Sequence, residues 1–273
     1  MLRVGLIQTT TGIDPAANAA QLAADAHALA DRGAAMIFTP EMSGVLDRDA
    51  RRLAANGLDA DSEPTLAALR DVARARGVGI AIGSLAVRAG DRFANRSFVI
   101  GPSGDVMQSY DKLHLFDVDL PTGESWRESS VYRGGDAVRL VDMPWGRLGL
   151  AICYDVRFPA LFARLAEAGA SVIAVPAAFT RPTGEAHWHV LLRARAIETG
   201  CFIVAAAQTG EHQDGRATFG HSLVIDPWGR VLLDMGTDAG IATADIDLAE
   251  VEATRARIPS LRHARPLSDP QIA

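Results

Sequence analysis

The chain has 273 residues, 48% of them hydrophobic, and a formal net charge of −6 at pH 7. This apolar content supports a large core and excludes an intrinsically disordered chain. The acidic balance, with no basic stripe, argues against a nucleic-acid partner. The longest apolar runs, such as residues 171–179, are too short to cross a bilayer, and the N-terminus lacks a signal-peptide core. We therefore expect a cytoplasmic protein with no membrane partner.

Strands alternate with helices along the chain, which predicts an α/β fold. Glycine closes each predicted helix, because glycine adopts the left-handed backbone that ends helices. In chain order the predicted elements are strand 2–8, helix 15–32, strand 35–39, helix 65–76, strand 78–85, hairpin 98–110, strand 147–152, helix 159–167, strand 171–175, helix 188–199, strand 201–208 and hairpin 223–233.

The second half of the chain repeats the order of the first. Residues 99–106 align with residues 224–231, and residues 38–41 align with residues 174–177. We predict an αββα sandwich with internal pseudo-twofold symmetry, in which two sheets pack face to face beneath outer helices. Because neither half covers its sheet alone, residues 1–273 are predicted to form a single domain. The alternative is that the repeat reflects only the general similarity of α/β proteins.

Two reactive side chains directly follow predicted strands. Glu41 follows strand 35–39, and Cys153 follows strand 147–152. Ligands of α/β folds bind at the carboxyl ends of strands, so both residues are expected in one crevice. A strand-to-helix turn there would leave the Tyr154 N–H free to donate to an oxyanion and would favour a Cys153 thiolate. Burial would raise the pKa of Glu41 towards neutrality, which suits a general base.

Lys112 is a single cation in an aromatic and apolar stretch, where it could stabilise an oxyanion. Each of these three residues also has an ordinary explanation: a structural cysteine, a surface glutamate or a snorkelling lysine. The second cysteine, Cys201, begins an apolar strand and is expected to lie in the core. No metal-ligand spacing is found, so we predict neither a metal nor a cofactor.

Three motifs occur in a fixed order: Pro-Glu at residues 40–41, Lys-Leu-His-Leu-Phe-Asp at 112–117 and Cys-Tyr-Asp-Val-Arg-Phe-Pro at 153–159. In this order they resemble the nitrilase superfamily of carbon–nitrogen hydrolases, with its Glu–Lys–Cys triad. The resemblance covers nearly the whole chain. It is greatest to the Nit branch of omega-amidases and deaminated-glutathione amidases, through residues 184–188, 192–198, 219–222 and 226–229.

The resemblance implies a role for each matching residue. Glu41 would be the base, Lys112 the oxyanion partner and Cys153 the nucleophile. A second, supporting glutamate of the family matches Glu128, with Glu124 close by. The resemblance also implies an αββα fold and a homo-oligomer, a dimer or larger, that associates through helices.

The expected reaction is cysteine-dependent hydrolysis of a small carboxamide to acid and ammonia through a thioester. The substrate would be the amide of a carboxylate-bearing 2-oxo acid, or deaminated glutathione. Arg157 is the candidate partner for the substrate carboxylate, because a guanidinium binds a carboxylate with two parallel hydrogen bonds. A structural ion pair is the alternative for Arg157. By resemblance, Phe179 and Thr180 would line the substrate pocket.

Other functions remain open from the sequence. An aliphatic nitrilase or an N-carbamoyl hydrolase would use the same triad, and an acyltransferase would differ only in the acceptor. A non-catalytic interaction protein on this fold is disfavoured by the intact triad. A papain-like enzyme would need a histidine base, and no histidine lies in an obviously paired context.

Overall fold

The computed structural model of the protein describes residues 1–56, 59–120, 123–266 and 268–271. The strands are β1 (Leu2–Gln8), β2 (Met36–Phe38), β3 (Gly79–Ala89), β4 (Arg92–Ile100), β5 (Val106–Asp111), β6 (Asp117–Asp119), β7 (Ser125–Arg127), β8 (Tyr132–Arg133), β9 (Leu140–Met143), β10 (Gly146–Leu150), β11 (Val172–Ala174), β12 (Phe202–Ala205), β13 (Thr209–Glu211), β14 (Ala217–Phe219), β15 (Leu223–Ile225), β16 (Val231–Asp234) and β17 (Gly240–Ile246). The α-helices are α1 (Pro15–Asp31), α2 (Ala50–Asn56), α3 (Pro64–Arg76), α4 (Pro159–Glu167), α5 (Arg181–Thr199), α6 (Ala249–Arg257) and α7 (Ser260–His263).

The two large sheets share one topology. The first has the strand order β17-β1-β2-β3-β4-β5, with β8 beside β4, and the second has the order β9-β10-β11-β12-β15-β16. In each sheet three parallel strands, β1-β2-β3 or β10-β11-β12, are flanked by one antiparallel strand on one side and two on the other. This equivalence confirms the predicted α/β sandwich and its internal repeat.

The two hairpins that align in the sequence also have the same turn. In the first, the Gly101 N–H donates to the Asp105 carbonyl at 2.9 Å. In the second, the Asp226 N–H donates to the Arg230 carbonyl at 3.0 Å. The repeat is therefore present in the backbone hydrogen bonds as well as in the order of the strands.

Strand residues build the layers of the sandwich, because successive side chains point to opposite faces of a sheet. On one face of β1, Val4 and Leu6 share a buried cluster with Leu148 of the second sheet. On the other face, Ile7 packs in a cluster with residues of α1 and α3. Residues of α4 and α5, such as Phe162, join the cluster of the second sheet. Both sheets therefore face each other and carry helices on their outer faces.

Local signals begin and end α1, α3 and α4 within one residue of the predicted bounds, whereas α2, α6 and α7 were not predicted. The Asp14 side chain accepts from the N–H groups of Ala16 and Ala17 at the start of α1, which is the usual N-cap arrangement. The prediction for α5 was wrong at its start, because the helix begins at Arg181 rather than at residue 188. A glycine near its start, Gly184, packs directly on Phe219, where a Cβ would lie 2.2 Å from the ring.

Several short elements were not predicted. β6 and β7 form one two-stranded ribbon, and β13 and β14 form another. Their sequences, such as Asp-Val-Asp in β6, are too short and polar for an alternating apolar pattern to be visible. β17 was also missed, although it pairs along the whole length of β1 and completes the first sheet.

Among the described residues, none of the helices combines the length and the apolar character that crossing a membrane would require.

Equivalent glycines bring a helix close to a strand in each half. A Cβ on Gly5 of β1 would lie 3.0 Å from Leu29 of α1, and one on Gly149 of β10 would lie 3.2 Å from Leu165 of α4. In both halves the helix therefore approaches closely because the strand has no side chain at this point.

We expect Gly5→Val and Gly149→Val each to lower the free energy of unfolding by about 1–3 kcal/mol, because extra methyl groups overpack the helix–sheet contact. Gly240→Val is the control, since a Cβ there meets no atom within 4 Å. Denaturant unfolding of the three variants measures the effect. Unchanged stability in the first two would contradict a close helix–strand contact at these glycines.

Candidate active site

Strand ends from both sheets meet at one cavity. Glu41 follows β2, Lys112 directly follows β5, and Cys153 follows β10. All three line a cavity of about 730 Å³. Because β2 and β10 belong to different sheets, the cavity lies where the two sheets adjoin. The structure therefore brings Glu41 and Cys153 into one crevice, as their positions after strands predicted.

Lys112 is enclosed by two carboxylates. Its Nζ donates to Glu41 Oε1 at 2.8 Å and to the Glu128 oxygens at 2.9 and 3.1 Å. Asn95 Nδ2, on β4, donates to both carboxylates at 2.9 Å. The Lys112 side chain is only 2% exposed. Charge-assisted hydrogen bonds of this kind are short and strong, so the four side chains hold one another in place.

Backbone groups complete the coordination of the two carboxylates. The Ala178 N–H donates to Glu41 Oε2 at 2.9 Å, and the Phe116 N–H donates to Glu128 Oε2 at 2.7 Å. Glu124 instead accepts from the Trp126 indole N–H at 3.3 Å. Of the two glutamates that the sequence offered as supporting residue, Glu128 is therefore the one that contacts the lysine.

The pKa of Glu41 moves in the direction opposite to the predicted one. Burial by itself would raise it, but the Lys112 ammonium and the hydrogen bonds from Lys112, Cys153 and Asn95 hold the pKa below its usual value. The sequence-based expectation of a raised pKa considered burial without the buried cation. Glu41 therefore rests as a carboxylate, which is the form that can accept a proton.

The expectation of a resting thiolate at Cys153 was also wrong. Burial raises the pKa of the thiol well above its usual value, and the negative charge of Glu41 raises it further, against the opposing effect of Lys112. The interaction between the thiol and the Glu41 carboxylate raises the pKa of the thiol and lowers that of Glu41. Since two carboxylates and one ammonium already leave a net negative charge nearby, the cysteine rests protonated beside an ionised base.

The backbone at Cys153 is strained. Its φ is +49°, a region that residues with a side chain rarely occupy. The Cys153 N–H donates to the Pro176 carbonyl at 2.8 Å, and a 3-10 helix begins at this residue (Cys153–Arg157). Such strain costs about 1–3 kcal/mol and persists where the surroundings impose it. The turn directs the side chain into the cavity, as the strand-to-helix motif predicted.

Asp155 ties the lysine segment to the cysteine segment, and sequence reasoning missed it. Its side chain is fully buried. It accepts from the Tyr110 hydroxyl at 2.7 Å, from the Ile152 N–H at 2.9 Å and from the His114 N–H at 3.1 Å. Tyr110 and His114 flank Lys112, so one carboxylate sets the position of both reactive residues. In the sequence, a carboxylate only two residues after Cys153 could have indicated this positioning role.

The predicted pocket residues divide into two groups. Tyr154, Phe179 and Thr180 line the cavity that contains Cys153. Arg157 is not among the described residues that line it. The Arg157 guanidinium lies 3.3 Å from His187 Nδ1 and 5.5 Å from the centre of the Phe179 ring. Its position therefore gives no support to a contact with the substrate carboxylate.

The mouth of the cavity carries cations that sequence reasoning did not single out. Arg48 and Arg216 line the cavity together with Trp126. Arg216 lies three residues before the motif at residues 219–222, and this position in the sequence could have marked it as a candidate cavity residue.

A separate polar cluster lies away from the described lining of this cavity. Asp234 pairs with His221 Nδ1 at 2.8 Å and with His189 Nε2 at 3.0 Å. Two ring nitrogens and a carboxylate in such proximity could hold a divalent cation. The spacing of these three residues in the sequence does not reveal the cluster, because they come from α5, the loop before β15 and the end of β16.

Comparisons with known proteins agree with this geometry. Residues 3–256 match the carbon–nitrogen hydrolase family. Deaminated glutathione amidase from Yersinia enterocolitica is 37% identical over 266 residues, covering 96% of this chain and 92% of the relative. The NitFhit protein of C. elegans superposes with a TM-score of 0.91 at 35% identity, covering 97% of this chain and 65% of that longer one.

A solved structure of lower sequence identity contains a modified active-site cysteine. The E41Q mutant of the amidase from Nesterenkonia sp. AN1 superposes with a TM-score of 0.79 at 26% identity, covering 95% of this chain and 98% of the other. That structure shows the result of Michael addition of acrylamide at the active-site cysteine of the Nesterenkonia enzyme. Fold, cavity and family match lead to one conclusion: this chain belongs to the nitrilase superfamily of carbon–nitrogen hydrolases and is an amidase that acts on bonds other than peptide bonds.

Proposed function

We propose that this amidase hydrolyses a small linear amide that carries a carboxylate, with deaminated glutathione or the amide of a 2-oxo acid as substrate. The observation that carries the proposal is the buried Glu41–Lys112–Glu128 network beside the Cys153 thiol. The relatives named deaminated glutathione amidase, from Yersinia to human, support the choice of substrate.

In the first step, the Cys153 sulfur attacks the amide carbon as Glu41 takes the thiol proton. The ionised carboxylate and the protonated thiol of the resting site are the correct starting forms for this transfer. Lys112 and the Tyr154 N–H stabilise the oxyanion, and one donor of this kind contributes about 10²–10³ in rate. Glu128 holds Lys112 in position, because it contacts the ammonium through both oxygens.

In the second step, Glu41 returns the proton to the nitrogen, the amine departs and a thioester remains on Cys153. Water, deprotonated by Glu41, then attacks the thioester carbonyl and releases the acid and the free thiol. A primary amide would release ammonia. Deaminated glutathione would instead release the dipeptide amine, because the amide nitrogen of that substrate belongs to the rest of the peptide.

The test is an assay of acid and amine release from deaminated glutathione, 2-oxoglutaramate, a simple aliphatic amide, a carbamoyl amino acid and an aliphatic nitrile. We expect turnover of the carboxylate-bearing amides, abolished in Cys153→Ala. Cys201→Ala is the matched control, since that cysteine lies buried against Ala170 and Arg255. Turnover of nitriles or carbamoyl compounds alone would replace the proposed substrate class. Full activity in Cys153→Ala would refute the mechanism.

For Glu41→Gln, the electrostatics predict a more acidic Cys153 thiol but a lower rate of hydrolysis. Removal of the Glu41 charge should lower the pKa of the Cys153 thiol, because that charge raises it in the native site. The rate should nevertheless fall by about 10²–10⁴, because the base is lost. Ultraviolet absorbance of the thiolate against pH measures the first change, with Cys153→Ala as the blank. A higher thiol pKa in Glu41→Gln would show that the carboxylate does not oppose ionisation of the thiol.

We also propose that the chain forms one domain. We further propose that it associates into a homo-oligomer through a surface of the second half of the chain. Ile197, Trp228 and Ile258 are each at least 50% exposed and line one surface groove. Exposed apolar groups gathered in this way are typical of protein interfaces.

We expect Trp228→Glu to shift the protein to a smaller species in sedimentation experiments, because a charge would be buried in the interface. Val106→Glu is the control, since Val106 is an exposed apolar residue on β5 in the other sheet. Equal sedimentation of wild type and Trp228→Glu would exclude this interface.

A further inference from the structure

Two arginines lie over one indole at the mouth of the cavity. Arg48 Cζ is 5.1 Å and Arg216 Cζ is 5.2 Å from the centre of the Trp126 ring. The three residues come from the loop after β2, from β7 and from the connection between β13 and β14. All three line the same cavity as Cys153. Stacking on an aromatic face restrains a guanidinium without using its hydrogen-bond donors.

The two arginines share one acidic partner. Asp214, whose side chain is fully buried, lies 2.8 Å from Arg216 Nε and 3.8 Å from Arg48 Nε. One carboxylate neutralises only one of the two cations. Glu124 also lines the mouth, but among the described residues no ion pair joins it to either arginine.

Asp47 also lines the cavity and its charge acts with that of Arg216, but Asp47 is paired with Arg52 at 2.5 Å. With Asp47 counted against Arg52, the group of Arg48, Arg216 and Asp214 retains one positive charge.

Other arginines of the same cavity are differently placed. Arg127 is bound by the exposed carboxylate of Asp119 at 2.8 Å, and Arg181 lies 3.6 Å from the exposed carboxylate of Glu211. Each of these has its own partner at the surface. Arg48 and Arg216 differ because they share a buried partner and are stacked on an aromatic ring.

The cavity has more room than the reacting amide group alone requires. A volume of about 730 Å³ is within the range of pockets that take drug-sized ligands. It exceeds what a two- or three-carbon amide would fill. Because Arg48, Arg216 and Cys153 line this one cavity, a substrate tail that extends from Cys153 can lie beside the arginines.

We propose that Arg48 and Arg216 bind a carboxylate at the end of the substrate remote from the reacting amide, with Trp126 holding the two guanidiniums in position. The inference deepens the proposed amidase function and rests on it. A guanidinium binds a carboxylate through two parallel hydrogen bonds, and the single surplus charge of this group matches one carboxylate. The subsite selects anionic linear amides over neutral amides of the same length.

A purely structural role for the same three residues makes a different prediction. The stack joins two loops and strand β7 around the cavity. If it served only to hold these segments, its loss would impair neutral and anionic substrates equally. The ratio of the two activities therefore separates binding from support.

The experiment compares glutaramate with pentanamide, two five-carbon primary amides that differ in a terminal carboxylate. We expect the wild type to prefer glutaramate by at least tenfold in kcat/KM. Arg216→Met and Arg48→Met should each lower kcat/KM for glutaramate by about 10- to 100-fold, mostly through KM, which is the usual effect of losing a hydrogen bond to a charged group. The rate of Cys153 alkylation by neutral iodoacetamide should stay within twofold of the wild type, which reports that the triad is intact.

Arg181→Met is the matched control, because it removes a positive charge from the same cavity and leaves the stack in place. We expect it to change the glutaramate rate by less than threefold. If Arg181→Met lost as much kcat/KM for glutaramate as the other two variants, the effect would come from the overall positive potential of the cavity. That result would overturn the subsite. The subsite would also be overturned if the wild type did not discriminate between glutaramate and pentanamide. The same holds if Arg216→Met and Arg48→Met kept the preference for glutaramate.

Protection of Cys153 from iodoacetamide by glutarate, with pentanoate as the comparison, tests the subsite without turnover. Protection that depends on Arg48 and Arg216, together with no hydrolysis of glutaramate, 2-oxoglutaramate or deaminated glutathione, would refute the proposed function and leave the subsite standing. Hydrolysis of glutaramate without such dependence would refute the subsite and leave the function standing.

Discussion

The site depends on one buried cation. Lys112 lies between Glu41 and Glu128, almost without solvent contact, and each group is acceptable in the interior only because the others are present. Removing one partner from a buried ion pair typically costs about 3–5 kcal/mol, because the remaining charge is left uncompensated. Here the network carries one more negative than positive charge. The surplus is distributed over donors from Asn95 and from the Ala178 and Phe116 backbone.

Burial and this surplus charge together explain the protonation states of the site. Burial disfavours a thiolate at Cys153, and a thiolate would also add a further negative charge beside Glu41, so the proton stays on the sulfur. Lys112 simultaneously keeps Glu41 ionised, although burial alone would protonate it. The lysine thus lowers the proton affinity of both neighbours, but only the stronger acid, the carboxyl group of Glu41, is ionised in the resting site.

The sandwich supplies the geometry that the network requires. Glu41 and Cys153 stand at the ends of strands in different sheets, and Ala178, which binds Glu41, comes from the second half of the chain. The outer strand of the first sheet, β17, likewise comes from near the end of the chain. The two halves are equivalent in topology but not in chemistry. Glu41 aligns with Ala177 in the repeat, so only one of the two pseudo-equivalent positions carries the acid.

The sequence by itself determined the elements that rest on local signals and on periodicity. The sequence predicted the parallel strands and the two aligned hairpins, the bounds of α1, α3 and α4, the internal repeat, and the positions of Glu41 and Cys153 after strands. Capping residues and buried runs act over a few residues, so a local pattern records them. The tertiary structure alone decided the direction of the pKa shifts, the choice of Glu128 over Glu124, and the roles of Asn95 and Asp155 as connecting groups. It also placed Arg48 and Arg216, rather than Arg157, in the lining of the cavity that contains Cys153. These features depend on which charges lie within a few ångströms of one another, and such distances arise between segments far apart in the chain, where no local pattern records them.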